Sequence, residues 1–249
     1  MSVFLLILAA FFLPLFPATM LFTRLAVSTQ PLPVRLALVV FWPQIGVVLI
    51  LWGELEPGPI LATWAVMSAL FYAFRMLTVR EVGRWNAMLA VSAWPLVWLY
   101  ALQTPAPVDL VAVTLALTTA PVLMLVVREV LVGRLGAAYT GLHGGLARDL
   151  PRLSGIIVVA TLAAMALPLF PGFFALLTLL GSAPVGFAIG ILLIWLLWSW
   201  AGARLLQGTV FGPRSGPVAA DLTAPRAWGF AGLVVALTGA GLIWTGGAL

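Results

Sequence analysis

Few residues in this chain can bind, hold or pass a proton or an ion. Of the hydroxyls and amides inside long apolar runs, two sites stand beside a proline in a way that suits water: Gln44, directly after Pro43, and Thr118-Thr119, directly before Ala120-Pro121. Proline removes an amide donor and frees a carbonyl one turn earlier. A side-chain amide or hydroxyl beside that carbonyl can hold water, so Gln44, Thr118 and Thr119 form a candidate water path. The same side chains serve equally as hydrogen-bonding glue between helices. A second feature is a break. Leu167-Pro168-Leu169-Phe170-Pro171-Gly172 interrupts an apolar run that extends from Leu153 to Leu180. Pro168, Pro171 and Gly172 remove amide donors and loosen a helix. In lipid, loose backbone must be buried in protein or line a polar cavity, and broken helices often form transport sites. The alternative is a proline kink packed against its neighbours.

The charged groups come in short clusters. Arg80, Glu81 and Arg84 fall within one helical turn, and Arg148 and Asp149 are adjacent. They read either as a snorkelling interfacial set or as a docking surface for a partner subunit. His143 is the one histidine and lies in a Gly-rich loop. The chain has no cysteine, which excludes disulfides and thiolate metal sites. No Ser-His-Asp set, phosphate loop or metal-ligand cluster is present. The expectation is a non-enzyme with no catalytic residue, no cofactor and no metal.

The elements that position these residues follow from composition. Hydrophobic residues make up 63% of the 249 residues and charged residues 8%, and the mean hydropathy is +1.18. These values define a polytopic helical membrane protein in contact with a lipid bilayer. A spanning helix needs about 20 apolar residues, and eight segments fit: 3–23, 36–53, 58–75, 86–102, 109–131, 153–180, 184–206 and 227–246. The first begins without a basic region or cleavage pattern and reads as a span rather than a signal peptide. Residues 1–249 form one domain, with no low-complexity tract and no convincing internal repeat. All twelve basic residues are arginine, at Arg24, Arg35, Arg75, Arg80, Arg84, Arg128, Arg134, Arg148, Arg152, Arg204, Arg214 and Arg226. With eight spans every one falls on the same side, opposite Glu54, Glu56 and Asp109. The positive-inside rule then puts both termini outside, in the inner (cytoplasmic) membrane. Arginines scattered among short links do not form a nucleic-acid surface. No ionisable group lies in the middle of a predicted span, although ion coupling at depth usually needs one.

The second half carries a resemblance. Gly144-Gly145-Leu146-Ala147-Arg148-Asp149-Leu150-Pro151, then Leu167-Pro168-Leu169-Phe170-Pro171-Gly172-Phe173, then Ala203-Arg204 through Gln207 to Phe211-Gly212-Pro213 follow one another in order. This series resembles the antiporter-like membrane subunits of NADH-quinone oxidoreductase, Mrp-type cation/proton antiporters and membrane-bound hydrogenases, with a relative in inorganic-carbon uptake complexes. It covers roughly 110–249, so residues 106–249 read as antiporter-like and residues 1–105 as family-like only in general character. Family members are usually about double this length, so the resemblance implies a shortened relative. It also implies lost charges. Where many members carry a His/Lys pair, this chain reads Leu117-Thr118-Thr119-Ala120-Pro121, and where Lys or Glu often follows the break it has Ala175 and Leu176. The implied function is an accessory or structural subunit of a respiratory, Mrp-type or inorganic-carbon-uptake assembly, not itself proton-pumping, with other membrane subunits as partners. The alternative is a proton or small-solute transporter using a water path at the broken helix.

Overall fold

Apolar segments in lipid must satisfy their own backbone hydrogen bonds, and helices do so within one segment. The computed structural model describes residues 2–27, 31–212 and 220–246, and among these the regular elements are all α-helices. In order they are α1 (Ser2–Phe12), α2 (Thr19–Val27), α3 (Leu32–Trp52), α4 (Pro59–Met76), α5 (Val82–Ala93) and α6 (Leu96–Ala101). There follow α7 (Pro107–Leu135), α8 (Leu146–Asp149), α9 (Pro151–Ala164), α10 (Pro171–Ser182), α11 (Val185–Thr209) and α12 (Ala224–Gly246). Among the described residues, α3, α4, α7 and α11 are long and apolar enough to cross a membrane. The chain is therefore a multi-pass membrane protein. Arg214 and Pro213 lie outside the described residues.

Local chemistry sets the helix ends. Proline occupies the first turn of α3, α4, α7, α9 and α10, where its missing amide costs nothing. Glu81 caps α5, its carboxylate accepting from the amides of Gly83 at 3.0 Å and Arg84 at 2.6 Å. Gly136 ends α7 in the left-handed conformation, φ 76°, which suits glycine.

The expected interruption of the sixth segment is present: α9 stops at Ala164 and α10 starts at Pro171. Two further segments expected to be continuous are also divided. Residues 3–23 hold α1 and α2, separated by turns around Pro14 and a cis Phe16-Pro17 bond. Residues 86–102 hold α5 and α6, divided at Trp94-Pro95. The reason in each case is proline, which removes a ladder donor and clashes with the preceding turn.

The long, mostly buried α7 is the central helix, with α3, α5, α9 and α10 packed on it. Arg35 at the start of α3 meets Glu129 near the end of α7, so the two helices run antiparallel. At the opposite end of the bundle, Glu54 and Glu56 share a cavity with Thr104 and Leu110. Outward faces remain apolar, with Phe4, Phe41, Ile60, Met67, Val185, Leu196 and Ile243 exposed, as lipid contact requires.

Candidate functional site

The broken sixth segment is closed by its neighbours. Two residues of its turn, Ala166 (φ 48°) and Leu169 (φ 92°), adopt left-handed backbone that side chains disfavour. Local amides cover part of the turn, with Leu167 donating to the Leu162 carbonyl and Phe170 to that of Leu167. The Met165 carbonyl, at the end of α9, accepts the indole N–H of Trp195 on α11 at 2.9 Å. A Cβ at Gly202, also on α11, would lie 2.5 Å from the Met165 side chain, so absence of a side chain lets α11 press onto the break. On the far side, Gly241 of α12 leaves room for Pro171, whose ring would lie 2.7 Å from a Cβ there.

The first segment repeats this arrangement. Leu13-Pro14-Leu15-Phe16-Pro17 is the same five-residue string as Leu167-Pro168-Leu169-Phe170-Pro171. This short repeat was not expected from the sequence reading, although both copies break a helix. Here the Leu13 carbonyl accepts the indole N–H of Trp98 at 3.1 Å, and the Phe16 amide donates to Ser68 Oγ at 3.1 Å. Gly46 of α3 faces Leu13, and a Cβ there would come within 2.7 Å of the leucine side chain and 3.1 Å of its backbone nitrogen. Each break thus has one carbonyl taken by a tryptophan and one side pressed by a glycine.

The hydroxyls of Thr118 and Thr119 bond within the protein. Thr118 Oγ1 donates to the Thr114 carbonyl at 2.7 Å and accepts from the Trp94 indole at 3.1 Å. Thr119 donates to the Leu115 carbonyl at 3.2 Å. Thr114 and Thr161 hydroxyls bond back to their own helices in the same way. Gln44 lies on α3 with its Nε2 buried and unpartnered among the described residues. Gly172 comes close to Ala116 of α7, with 3.8 Å from a Cβ to the Ala116 carbonyl, so the break and the Thr118 stretch are neighbours.

The ion-paired groups gather at one end of the bundle, opposite Glu54 and Glu56. Arg35 donates to Glu129, Arg128 Nη1 lies 3.5 Å from the same carboxylate, and Arg128 Nε lies 3.9 Å from Glu81. The Arg35 side chain is 4% exposed and that of Glu129 40%, so the pair straddles the bundle edge. This chain of four charges ties α3 and α7 to the cap of α5. Sequence spacing grouped Glu81 with Arg80 and Arg84, but the fold turns Glu81 inward to cap α5 and face Arg128, leaving Arg80 and Arg84 exposed. Arg148 and Asp149 are also exposed.

Two sequence motifs meet. Gly145, left-handed at φ 68°, donates its amide to the Phe211 carbonyl at 3.2 Å, and the Ala147 amide donates to Val210 at 3.2 Å. The Gly-Gly-Leu loop is therefore stitched to the end of α11. His143 in that loop is buried, and neither ring nitrogen has a partner among the described residues. Asp221, which sequence reading passed over, caps α9 from across the chain, accepting from the amides of Arg152 at 3.0 Å and Leu153 at 3.2 Å. Arg152 returns a bond to the Leu222 carbonyl at 2.9 Å. Burial pushes the Asp221 carboxyl up, but the amides of Arg152, Leu222 and Leu153 and the Arg152 charge outweigh it and hold the group below its usual value. Among the described residues no cluster of His, Cys, Asp or Glu is arranged to hold a metal.

Fold and site together define a multi-pass, all-helical membrane protein with proline-broken helices and its charge network at one end. No family profile and no curated protein matches the sequence. Solved structures do match. The chain is similar to one in respiratory complex I from Thermus thermophilus with bound NADH, at TM-score 0.77 and 23% identity, over 92% of this chain and 52% of that one. It is also similar to a chain of the membrane-bound sulfane sulfur reductase, an archaeal respiratory membrane complex, at TM-score 0.72 and 17% identity, over 92% and 50%. The likeness is one of fold, and the chain spans about half the length of those two. It extends through the first half of the sequence, where the motif resemblance stopped near residue 110.

Proposed function

We propose that this chain is an accessory, structural membrane subunit of a multi-subunit assembly of the complex I-like or ion-coupled class, and that by itself it moves no protons. The observation that carries this reading is the state of the interior hydroxyls. Thr114, Thr118, Thr119 and Thr161 all donate to their own helices, and Thr118 also receives an indole. A proton path at depth usually needs groups that bind and release the ion, and the charges here sit at the bundle ends. The half-length fold likeness to chains of two respiratory complexes supports partnership with other membrane subunits. Respiratory, Mrp-type and inorganic-carbon-uptake assemblies all fit this reading, and none requires the chain to be an enzyme.

The same reading takes eight spans, both termini outside and the arginine end cytoplasmic. Reporter fusions at Leu55 and Gln103 then score external and one at Tyr139 internal. Purification from its native membrane recovers the chain with at least one other membrane subunit, and in liposomes with a pH-sensitive dye the chain alone gives no flux above empty vesicles. Rapid flux from the chain alone, abolished by Thr118→Val with Thr119→Val, would replace this reading with the transporter.

A further inference from the structure

Three arginines converge where α2, the end of α4 and the start of α5 meet. Arg24, Arg75 and Arg84 line a 510 Å³ cavity with Thr19, Thr23, Tyr72, Met20, Val27 and Met88. No carboxylate lines it, and none of the three guanidiniums has an ion-pair partner among the described residues. Glu81, the acid nearest in sequence, is engaged by Arg128 and by the start of α5. The Thr19 and Tyr72 hydroxyls bond to each other, and Thr23 donates to the Thr19 carbonyl at 2.9 Å, so these groups close the polar wall behind the arginines. The rest of the surround is apolar and outward-facing. Met20, Leu21, Phe71 and Phe74 are exposed along the same helices, and the Arg75 guanidinium lies 5.7 Å over the Phe71 ring.

We infer that this cavity binds the phosphate-bearing headgroup of an anionic phospholipid, whose acyl chains run along the exposed apolar faces of α2 and α4. Three like charges that line one cavity without a carboxylate leave it positive, and a phosphodiester neutralises that charge. Guanidinium forks match phosphate oxygens in pairs. A free phosphate would use the arginines alone, whereas a lipid also uses Met20, Phe71 and Phe74. This pairing of basic head-level groups with apolar surface beside them favours lipid over a soluble anion or an acidic peptide.

Native mass spectrometry of the purified chain in mild detergent, titrated with phosphatidylglycerol or phosphatidylcholine, tests this. The expected result is preferential retention of phosphatidylglycerol, reduced roughly fivefold by each of Arg24→Gln, Arg75→Gln and Arg84→Gln. Arg226→Gln, at a different cavity, leaves retention unchanged, and Arg84→Lys retains more lipid than Arg84→Gln. The Arg84→Lys comparison keeps the inference testable should Arg24→Gln or Arg75→Gln fail to fold. Equal retention of both lipids, undiminished retention in the single variants, or displacement by millimolar inorganic phosphate would overturn the inference.

Discussion

Trp195 of α11 donates its indole N–H to the carbonyl of Met165, the residue that follows the end of α9, at 2.9 Å. Trp98 makes the equivalent bond to Leu13 at 3.1 Å. A buried carbonyl stripped of its donor costs about 1–3 kcal/mol. Trp195→Phe and Trp98→Phe keep the apolar bulk and remove only the donor. Trp98→Phe is expected to lower stability in detergent by that amount and Trp195→Phe, whose bond is partly buried, by less, both measured by thermal unfolding. Trp200→Phe on an exposed face of α11 serves as the control and leaves stability unchanged.

The glycines divide into two kinds. At Gly46 an added Cβ meets the side chain and backbone of Leu13, and at Gly190 it would lie 2.6 Å from Val66, whereas Gly186 has open space around it. Overpacking of this sort costs about 1–3 kcal/mol. Gly46→Ala and Gly190→Ala are expected to lose that much in detergent unfolding, with Gly46→Ala the worse because backbone cannot swing aside. Gly186→Ala is neutral or slightly stabilising, since alanine favours helix.

Asp221 gives a pH dependence. Its carboxyl is held below its ordinary value of 3.8 in the folded chain. A depressed acid contributes stability that is fully present above its unfolded value and is lost as pH falls through the folded one. At neutral pH Asp221→Asn keeps one acceptor oxygen but loses the second, which takes the Arg152 amide, and the charge facing Arg152, so it is expected to cost up to about 1 kcal/mol. The gap between wild type and variant closes as the pH drops below the carboxylate range. Unfolding midpoints measured from neutral to acidic pH check this, and a constant gap would show that the charge is irrelevant.

Much of the architecture is legible in local sequence. Apolar run length marked the membrane class, and Pro168 with Pro171 marked the sixth-segment break. The matching break at Leu13–Pro17 carries the same five letters, but segment 3–23 has the length of a single span and reads as one helix, whereas 153–180 is long enough to contain an interruption. Trp94-Pro95 was passed over for the same reason. The site was less legible than the fold. Arg35 with Glu129, Trp195 with Met165 and Asp221 with the start of α9 are long-range pairs. Nothing near Glu129 in sequence shows that α3 runs antiparallel beside it. Thr118 reads as a free hydroxyl until Trp94, 24 residues away, is seen to fill its acceptor.

The tryptophan bonds at the two breaks impose an order on biogenesis. Synthesis runs from the N-terminus, and each break is made before the residue that satisfies it: Leu13 precedes Trp98 by 85 residues, and Met165 precedes Trp195 by 30. A segment released early from the insertion machinery would carry a bare carbonyl into lipid, where no water can take the indole's place. The two breaks are thus completed late in synthesis, the first only when Trp98 has been made and the second only with Trp195.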